Sequence, residues 1–180
     1  MKIPDEYKGR EQTYLKHRVL SEYVHAWAQK WASTSRGRGA VRLWYVDCFA
    51  GPWQAQDEAL EDTSVAIGLD ALQEAATRWG QQVGLSAIFV EKDKRSFTRL
   101  VDFLKKRSGP VEVHALPGEF GHYIDKINEL IQDDPAFLFV DPTGWKGVGM
   151  SNIAPLARVQ GRDVLINVMF NHINRFKNDA

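Results

Sequence analysis

The chain has 180 residues, of which 44% are hydrophobic and 26% charged, and its formal net charge is zero. This length suits one α/β domain with a buried core and is too short for two. The composition is that of an ordinary globular protein, and no apolar run is long enough to cross a bilayer. The balanced charge gives no general support for a nucleic-acid binder, although a local basic patch stays open.

The N-terminal sequence MKIPDEYKGR resembles neither a signal peptide nor a transit peptide. A single cysteine, Cys48, excludes an internal disulfide and a cysteine-rich metal site. The five histidines show no spacing typical of metal ligands. We therefore expect a cytoplasmic protein that has no membrane partner and no metal.

Residues 13–32 predict an amphipathic helix, because apolar residues such as Val24 and Trp27 recur there at helical spacing. A connection rich in turn formers, 33–39, follows it. Five short apolar runs then predict buried strands, at residues 42–47, 86–91, 111–116, 136–141 and 164–170. Helical patterns separate them, at residues 65–79, 96–107, 120–132 and 152–159. Ser64 is the predicted N-cap of the first of these helices, and Gly80 and Gly84 are predicted to close it.

Strands that alternate with helices predict the α/β class. We expect a three-layer, Rossmann-like fold with a parallel sheet in the order 3-2-1-4-5 and helices on both faces. In this interpretation residues 1–180 form a single domain, in which the N-terminal helix 13–32 precedes a sheet core at 41–175.

Three of the predicted strands end in an acid, at Asp47, Glu91 and Asp141. The carboxyl ends of parallel strands lie at one edge of a sheet, where ligands of such folds bind. The three acids should therefore surround one crevice. Purely structural roles are the alternative: Asp47 and Glu91 as capping or turn carboxylates, and Asp141 as the opening of an Asp-Pro turn.

The glycine patterns indicate which ligand such a crevice would suit. Neither the GxxxxGK[ST] phosphate loop nor the GxGxxG dinucleotide fingerprint occurs in the chain. After the first strand, Gly51 alone permits close approach of a ligand, and Asp47 disfavours phosphate by charge repulsion. An acid there suits a cationic amino-acid group, as in S-adenosylmethionine, and Glu91 is placed to accept hydrogen bonds from ribose hydroxyls.

Five segments together resemble the three-Cys-motif partner protein family, which belongs with class I methyltransferase-like proteins. These segments are KHRVLSEYVHAW (16–27), YVDCFAGPW (45–53), FVEKD (89–93), FVDPTGWKG (139–147) and VLINVMFNHINR (164–175). The resemblance covers most of the chain. It implies a methyltransferase core that uses S-adenosylmethionine and has a three-Cys-motif protein as partner.

The resemblance also implies roles for individual residues. The loop at the methionine end of the cofactor would be formed by Asp47, Phe49, Ala50 and Gly51. Glu91 would hold the ribose, and residues 116–119, including Gly118, would border the adenine. Asp141 and Pro142 would face the position of methyl transfer.

The chain departs from the family pattern at two places. Trp53 stands where many relatives have glycine, which puts the shape of the loop in doubt. The sequence Pro142-Thr143-Gly144-Trp145 replaces the Pro-Pro-aromatic motif of amino-methylating nucleic-acid enzymes. In those enzymes the aromatic ring stacks on an extruded base, and Trp145 is the residue that would take its place here.

We therefore expect an S-adenosylmethionine-binding, methyltransferase-like protein with nucleic acid as the acceptor. The alternative from another class is a non-catalytic binding or interaction module that keeps the fold, and a nicotinamide-dependent oxidoreductase ranks third. The predicted order also leaves the apolar fifth strand at a sheet edge, where natural proteins avoid open apolar strands. We expect that the natural protein continues past Ala180 with the C-terminal strands absent here, or that another chain covers this edge.

Overall fold

The computed structural model describes residues 9, 11–51, 63–80, 82–107, 109–142 and 149–167, apart from the side chain of Arg38. Helices and strands alternate along these residues. Their order is α1 (Glu11–Ser33), α2 (Ser35–Arg38), β1 (Val41–Asp47), α3 (Ser64–Trp79), β2 (Val83–Glu91), α4 (Lys94–Lys106), β3 (Glu112–Pro117), a 3₁₀ turn (Phe120–Tyr123), α5 (Ile124–Ile131), β4 (Ala136–Val140), α6 (Met150–Ala157) and β5 (Arg162–Ile166).

The five strands form one parallel sheet in the order β3-β2-β1-β4-β5. The central strand β1 pairs on both sides, so that Trp44 lies opposite Ser86 of β2 and opposite Ala136 of β4. This arrangement confirms the predicted α/β class and the predicted strand order. The order reverses between β1 and β4, and a crevice at such a point is where ligands of open α/β sheets bind.

The helices cover both faces of the sheet, because successive side chains of each buried strand point to opposite sides. One core contains Tyr45, Phe89 and Phe137 and packs against α1, α3 and α4. The other contains Val46 and Ile88 and packs against α5, α6 and the 3₁₀ turn. Both faces are apolar, as strands of a doubly covered parallel sheet require.

A glycine in the second turn of α3 lets this helix approach the sheet closely. A Cβ atom on Gly68 would lie within 2.5 Å of three ring atoms of Tyr45. The Tyr45 hydroxyl donates a hydrogen bond to the Ser64 carbonyl at 3.0 Å, which ties the first turn of α3 to β1. The contact fixes where the chain returns to the sheet after the loop that follows β1.

Several predicted boundaries were wrong by a few residues. β2 begins at Val83 and contains Gly84, which the sequence interpretation had placed at the end of the preceding helix. Pairing explains the difference, since Val83 and Gly84 lie opposite Val41 and Arg42 in β1. The predicted cap of α3 was also wrong: the Thr63 side chain, rather than that of Ser64, accepts from the Ala66 amide at 3.2 Å.

Two helical regions also differ from their predicted form. The segment predicted as a turn-rich connection contains the short helix Ser35–Arg38. The predicted helix 120–132 is divided into the 3₁₀ turn Phe120–Tyr123 and the α-helix Ile124–Ile131. In α1, the core side is formed by residues such as Val24 and Trp27, whereas Leu15 and Val19 of the predicted apolar stripe are largely exposed.

The edge strand β5 pairs with β4 and is only partly buried, and 37% of Ile166 is exposed. The predicted extension of this strand to residue 170 lies outside the described residues. A covering segment or partner for this edge stays a prediction, as does the single domain spanning 1–180. Among the described residues, no helix has both the length and the apolar character that a membrane span needs.

Candidate functional site

Asp47, Glu91 and Asp141 lie at the carboxyl edge of the sheet, around the point where strand order reverses. Asp47 lies opposite Phe89 of β2 and Phe139 of β4. Glu91 and Asp141 each follow those partners by two residues, so they lie on the same face as Asp47, about 7 Å further along the strand direction. The three carboxyl groups therefore outline a notch, with Asp47 as its floor and the other two as its sides.

Asp47 is fully buried, and the protein uses both of its oxygens. Oδ1 accepts from the Phe49 amide at 3.1 Å, and Oδ2 accepts from the Ser64 hydroxyl at 2.6 Å. Burial raises the pKa of Asp47 to about 7, although these two hydrogen bonds oppose the rise. In the described structure Asp47 holds the start of the loop against the start of α3, and its contact with a ligand stays a prediction.

The loop after β1 uses its backbone amides internally. Each N–H group of residues 48–51 donates a hydrogen bond within the protein, at distances from 2.8 to 3.1 Å. The acceptors are, in order, the Phe139 carbonyl, the Asp47 carboxylate, the Val90 carbonyl and the Phe49 carbonyl. A phosphate-binding loop needs such N–H groups directed at the ligand. Residues 48–51, the described part of this loop, therefore offer no free amide to a pyrophosphate.

The side chains of the same loop pack on the sheet. Ala50 is completely buried. Its backbone amide donates a hydrogen bond to the Val90 carbonyl, which folds the loop over the end of β2. The Phe49 ring contacts the Phe120 ring with centroids 5.9 Å apart. Gly51 is half-buried. Phe49 therefore contributes to a wall that extends from the loop to the 3₁₀ turn.

Glu91 ends β2 and is only 7% exposed. Its Oε1 atom accepts a hydrogen bond from the Asp93 amide at 2.5 Å. Burial raises the pKa of the Glu91 carboxyl group. The backbone amides of Lys92 and Asp93 both favour its ionised form, and the availability of the second carboxyl oxygen to a ligand stays a prediction.

Gly118 follows β3 and closes the same side of the notch. Its φ of 143° lies in a region that residues with a Cβ rarely adopt. A Cβ would also come within 3.3 Å of the Tyr123 ring. The Gly118 amide donates to the Glu91 carbonyl at 2.9 Å, and the Tyr123 hydroxyl donates to the Pro117 carbonyl at 2.6 Å. Glycine is therefore required for this turn to lie against Glu91.

Asp141, which follows β4, has a partner on each oxygen. Lys16 of α1 places its Nζ atom 2.6 Å from Oδ2, and Asn167 donates from Nδ2 to Oδ1, also at 2.6 Å. Sequence reasoning missed both partners. Asn167 directly follows β5, so its position at the carboxyl edge could have been predicted from the end of the strand. Lys16 is one of several polar residues on a helix, and nothing in the sequence indicates that it contacts Asp141.

The structure thus brings most of the predicted site residues to one sheet edge, while their roles stay predictions. Pro142 follows Asp141 there and is half-buried, and Trp145 lies outside the described residues. The described residues contain no group of three side chains able to hold a metal ion.

Comparisons with protein-family models and with curated proteins found no match for this chain. Membership of the three-Cys-motif partner family therefore stays a prediction. A solved structure titled "Putative methyltransferase yhhF from Escherichia coli" resembles the chain with a TM-score of 0.44 and 18% sequence identity. The match covers 84% of this chain and 75% of the other. A likeness at this level carries no inference about function.

Proposed function

We propose that the carboxyl edge of the sheet binds S-adenosylmethionine and that the chain transfers its methyl group to a nitrogen acceptor. The observation that supports this is the distribution of hydrogen-bonding groups at the edge. The amides of residues 48–51 are all engaged, while acidic side chains surround the notch. Such an edge favours a ligand that donates hydrogen bonds and carries positive charge.

The residues present fit this cofactor better than a dinucleotide. A dinucleotide brings a pyrophosphate, which would meet carboxylates and no available amide among residues 48–51. S-adenosylmethionine has no phosphate, and it carries an ammonium group, two ribose hydroxyls and a sulfonium centre. Glu91 would hold the hydroxyls through Oε2, and Gly118 would leave room for the adenine beside it.

The acceptor would lie on the opposite side of the notch, at Asp141. The cofactor supplies an electrophilic methyl group there. The carboxylate of Asp141 would accept a hydrogen bond from the acceptor nitrogen and orient its lone pair, which is the positioning that transfer to nitrogen chiefly requires. Nucleic acid, whose bases carry exocyclic amines, is the acceptor class that we propose.

Calorimetric titration of the chain with S-adenosylmethionine and S-adenosylhomocysteine tests the cofactor site. We expect saturable binding of both, and a Glu91→Gln variant should bind at least about tenfold more weakly, because it loses a charge-assisted acceptor. Glu129→Gln is the matched control, since Glu129 lies exposed on α5 and should leave the affinity unchanged. Absence of binding, or equal loss in both variants, would contradict the proposal.

A non-catalytic binding module is the second candidate, and one observation favours it. Both oxygens of Asp141 are already held by side chains of the protein. A module of this kind would keep the cofactor or another ligand and present its surface to a partner, for which we propose a three-Cys-motif protein. An Asp141→Asn variant separates the candidates once an acceptor is known: an enzyme loses turnover at unchanged cofactor affinity, whereas a module has none to lose.

A further inference from the structure

Lys16 and Asp141 are 125 positions apart in the sequence, yet they form a 2.6 Å ion pair beside the notch. Lys16 belongs to the first half of α1, and Asp141 follows β4. Both side chains are shielded, with 24% of Lys16 and 18% of Asp141 exposed. The ammonium group therefore occupies the position in front of Oδ2 where an incoming nitrogen would have to lie.

The two partners of Asp141 are anchored differently. Asn167 is fixed to the sheet, since its backbone amide donates to the Val140 carbonyl at 2.9 Å. Lys16 reaches Asp141 only through a flexible four-carbon stem. A change of side-chain rotamer would withdraw its ammonium group without moving α1 or any strand. Of the two contacts, the one at Oδ2 is thus the one that a ligand can replace.

Lys16 supplies the positive charge that contacts Asp141. The hydrogen bonds to Asp47 come from an amide and a hydroxyl, both neutral. Among the described residues, Lys16 is the cation in direct contact with these acids. When Lys16 withdraws, Asp141 keeps a neutral amide on Oδ1 and needs a new hydrogen-bond donor at Oδ2, because an uncompensated, shielded carboxylate is unfavourable.

We infer that Oδ2 of Asp141 is a binding position for an N–H group of the methyl acceptor, and that the Lys16 ammonium group fills this position until the acceptor displaces it. The identification of the ligand as a methyl acceptor rests on the proposed function. Lys16 then acts as a specificity-determining residue. A ligand with an amine can replace its contact with Asp141, whereas one without a hydrogen-bond donor cannot.

A Lys16→Ala variant, probed with methylammonium chloride, tests this inference by thermal unfolding in phosphate buffer; Tris is avoided because it is itself a primary amine. The substitution should lower the midpoint temperature. Methylammonium should then raise it saturably by about 2–4 °C, because a ligand that binds only the folded state stabilises it. Tetramethylammonium at the same ionic strength has the same charge and no N–H group, so it should have no effect.

Two variants serve as controls, and neither should distinguish the two ions. In Lys16→Met the retained stem fills the position, and in the double variant Lys16→Ala with Asp141→Asn the carboxylate is absent. The wild type should respond to methylammonium only at a higher concentration than Lys16→Ala, because the ion must first displace Lys16; a wild type that never responds would contradict the displacement. An equal response of Lys16→Ala to both ions, or a response that persists in the double variant, would overturn the inference. If Lys16→Ala does not fold in buffer, its refolding yield in each ion gives the same comparison.

These measurements contain no S-adenosylmethionine, so they can be separated from the test of the cofactor site. A specific methylammonium response without cofactor binding would support the amine position and contradict the proposed methyl transfer. Cofactor binding that depends on Glu91, without a methylammonium response, would support the cofactor site and contradict the role of Lys16.

Discussion

The two edges of the sheet bury charge of opposite sign and give it different numbers of partners. At the amino edge, where the strands begin, Arg162 is 9% exposed and donates to several acceptors of the protein. At the carboxyl edge, Asp47 is fully buried and Glu91 is 7% exposed, and burial raises the pKa of both. Burial also lowers the pKa of Arg162, so both edges disfavour the charged form, but the Arg162 guanidinium group makes three hydrogen bonds to acceptors of the protein.

Arg162 shows how the amino edge works. Its guanidinium group donates to the Leu156 carbonyl at 3.1 Å and the Gln132 carbonyl at 2.8 Å, at the ends of α6 and α5. It also donates to the Asn128 side chain at 2.5 Å. Carbonyls at helix ends lack intrahelical partners and carry partial negative charge, so a cation there is favourable. One side chain therefore joins β5 to both α-helices on this face.

Burial opposes ionisation at both edges, and the difference lies in what surrounds the charge. Charge at the amino edge contributes to stability, because Arg162 donates to carbonyls at the ends of two helices. Acids at the carboxyl edge reduce stability near neutral pH, and stored costs of this kind are typical of functional sites. Three experiments test this difference, beginning with the largest expected effect.

Replacing Arg162 by Met should lower the free energy of unfolding by about 2–4 kcal/mol, because the helix-end carbonyls lose a charged donor in a buried place. Urea unfolding measures the loss. Arg158→Met is the matched control, since Arg158 lies half-exposed at the end of α6 and should cost less than about 0.5 kcal/mol. If the two variants lose the same stability, Arg162 does not stabilise the amino edge as described.

Replacing Asp47 by Asn should change how stability depends on pH. The pKa of Asp47 is about 7 in the folded protein and near 3.8 ordinarily, so the folded state binds an extra proton between these values. Its contribution is present in acid and is lost as pH rises toward 7, by at most about 1.4 kcal/mol per pH unit. The Asn variant can still accept from the Phe49 amide and can donate from Nδ2 to the Ser64 hydroxyl, and because it does not ionise it should lack this fall.

Urea unfolding of both proteins between pH 4 and pH 8 measures the difference. Other groups titrate equally in the two proteins, so the difference between the curves isolates Asp47. Parallel curves over the whole range would mean that Asp47 is ionised in the folded protein throughout, and would remove the main contrast between the edges.

The smallest effect is expected at an exposed pair of the amino edge. Arg42 and Glu112 lie 2.5 Å apart, with about half of each side chain exposed. A double-mutant cycle with Arg42→Ala and Glu112→Ala should give a coupling of about 0.2–1 kcal/mol, because solvent screens such pairs. A coupling above about 2 kcal/mol would show that burial is not what distinguishes Arg162 from Arg42.

Much of the fold could be predicted from the sequence because its strongest signals are local. The run at 136–140 is apolar throughout, which predicts a strand covered on both faces, and β4 is buried at every position. Boundaries were less predictable where pairing decides them. Gly84 looks like a helix terminator in sequence, and only the register with β1 places it inside a strand.

The site was predictable in part for the same reason. The ends of the predicted strands were enough to place Asp47, Glu91 and Asp141 at one edge, because the carboxyl ends of parallel strands lie together. The partners of these acids come from distant parts of the chain. No local pattern could indicate that Lys16 contacts Asp141, or that the amides of residues 48–51 are engaged, because both facts depend on how the elements pack.

The central place of β1 also determines the order in which this protein can be completed during synthesis. β1 is synthesised early, but one of its two neighbours in the sheet is β4. Trp44 therefore cannot pair with Ala136 until β4 has been synthesised. The Tyr23 and Trp27 rings of α1 likewise wait for Phe137, which they contact at centroid distances of 5.4 and 5.7 Å. Pairings between distant segments form slowly, and an unpaired apolar strand invites association with other chains. A ribosome-bound chain that stops short of β4 therefore carries its central strand with one side open, which favours association with other chains until β4 is added.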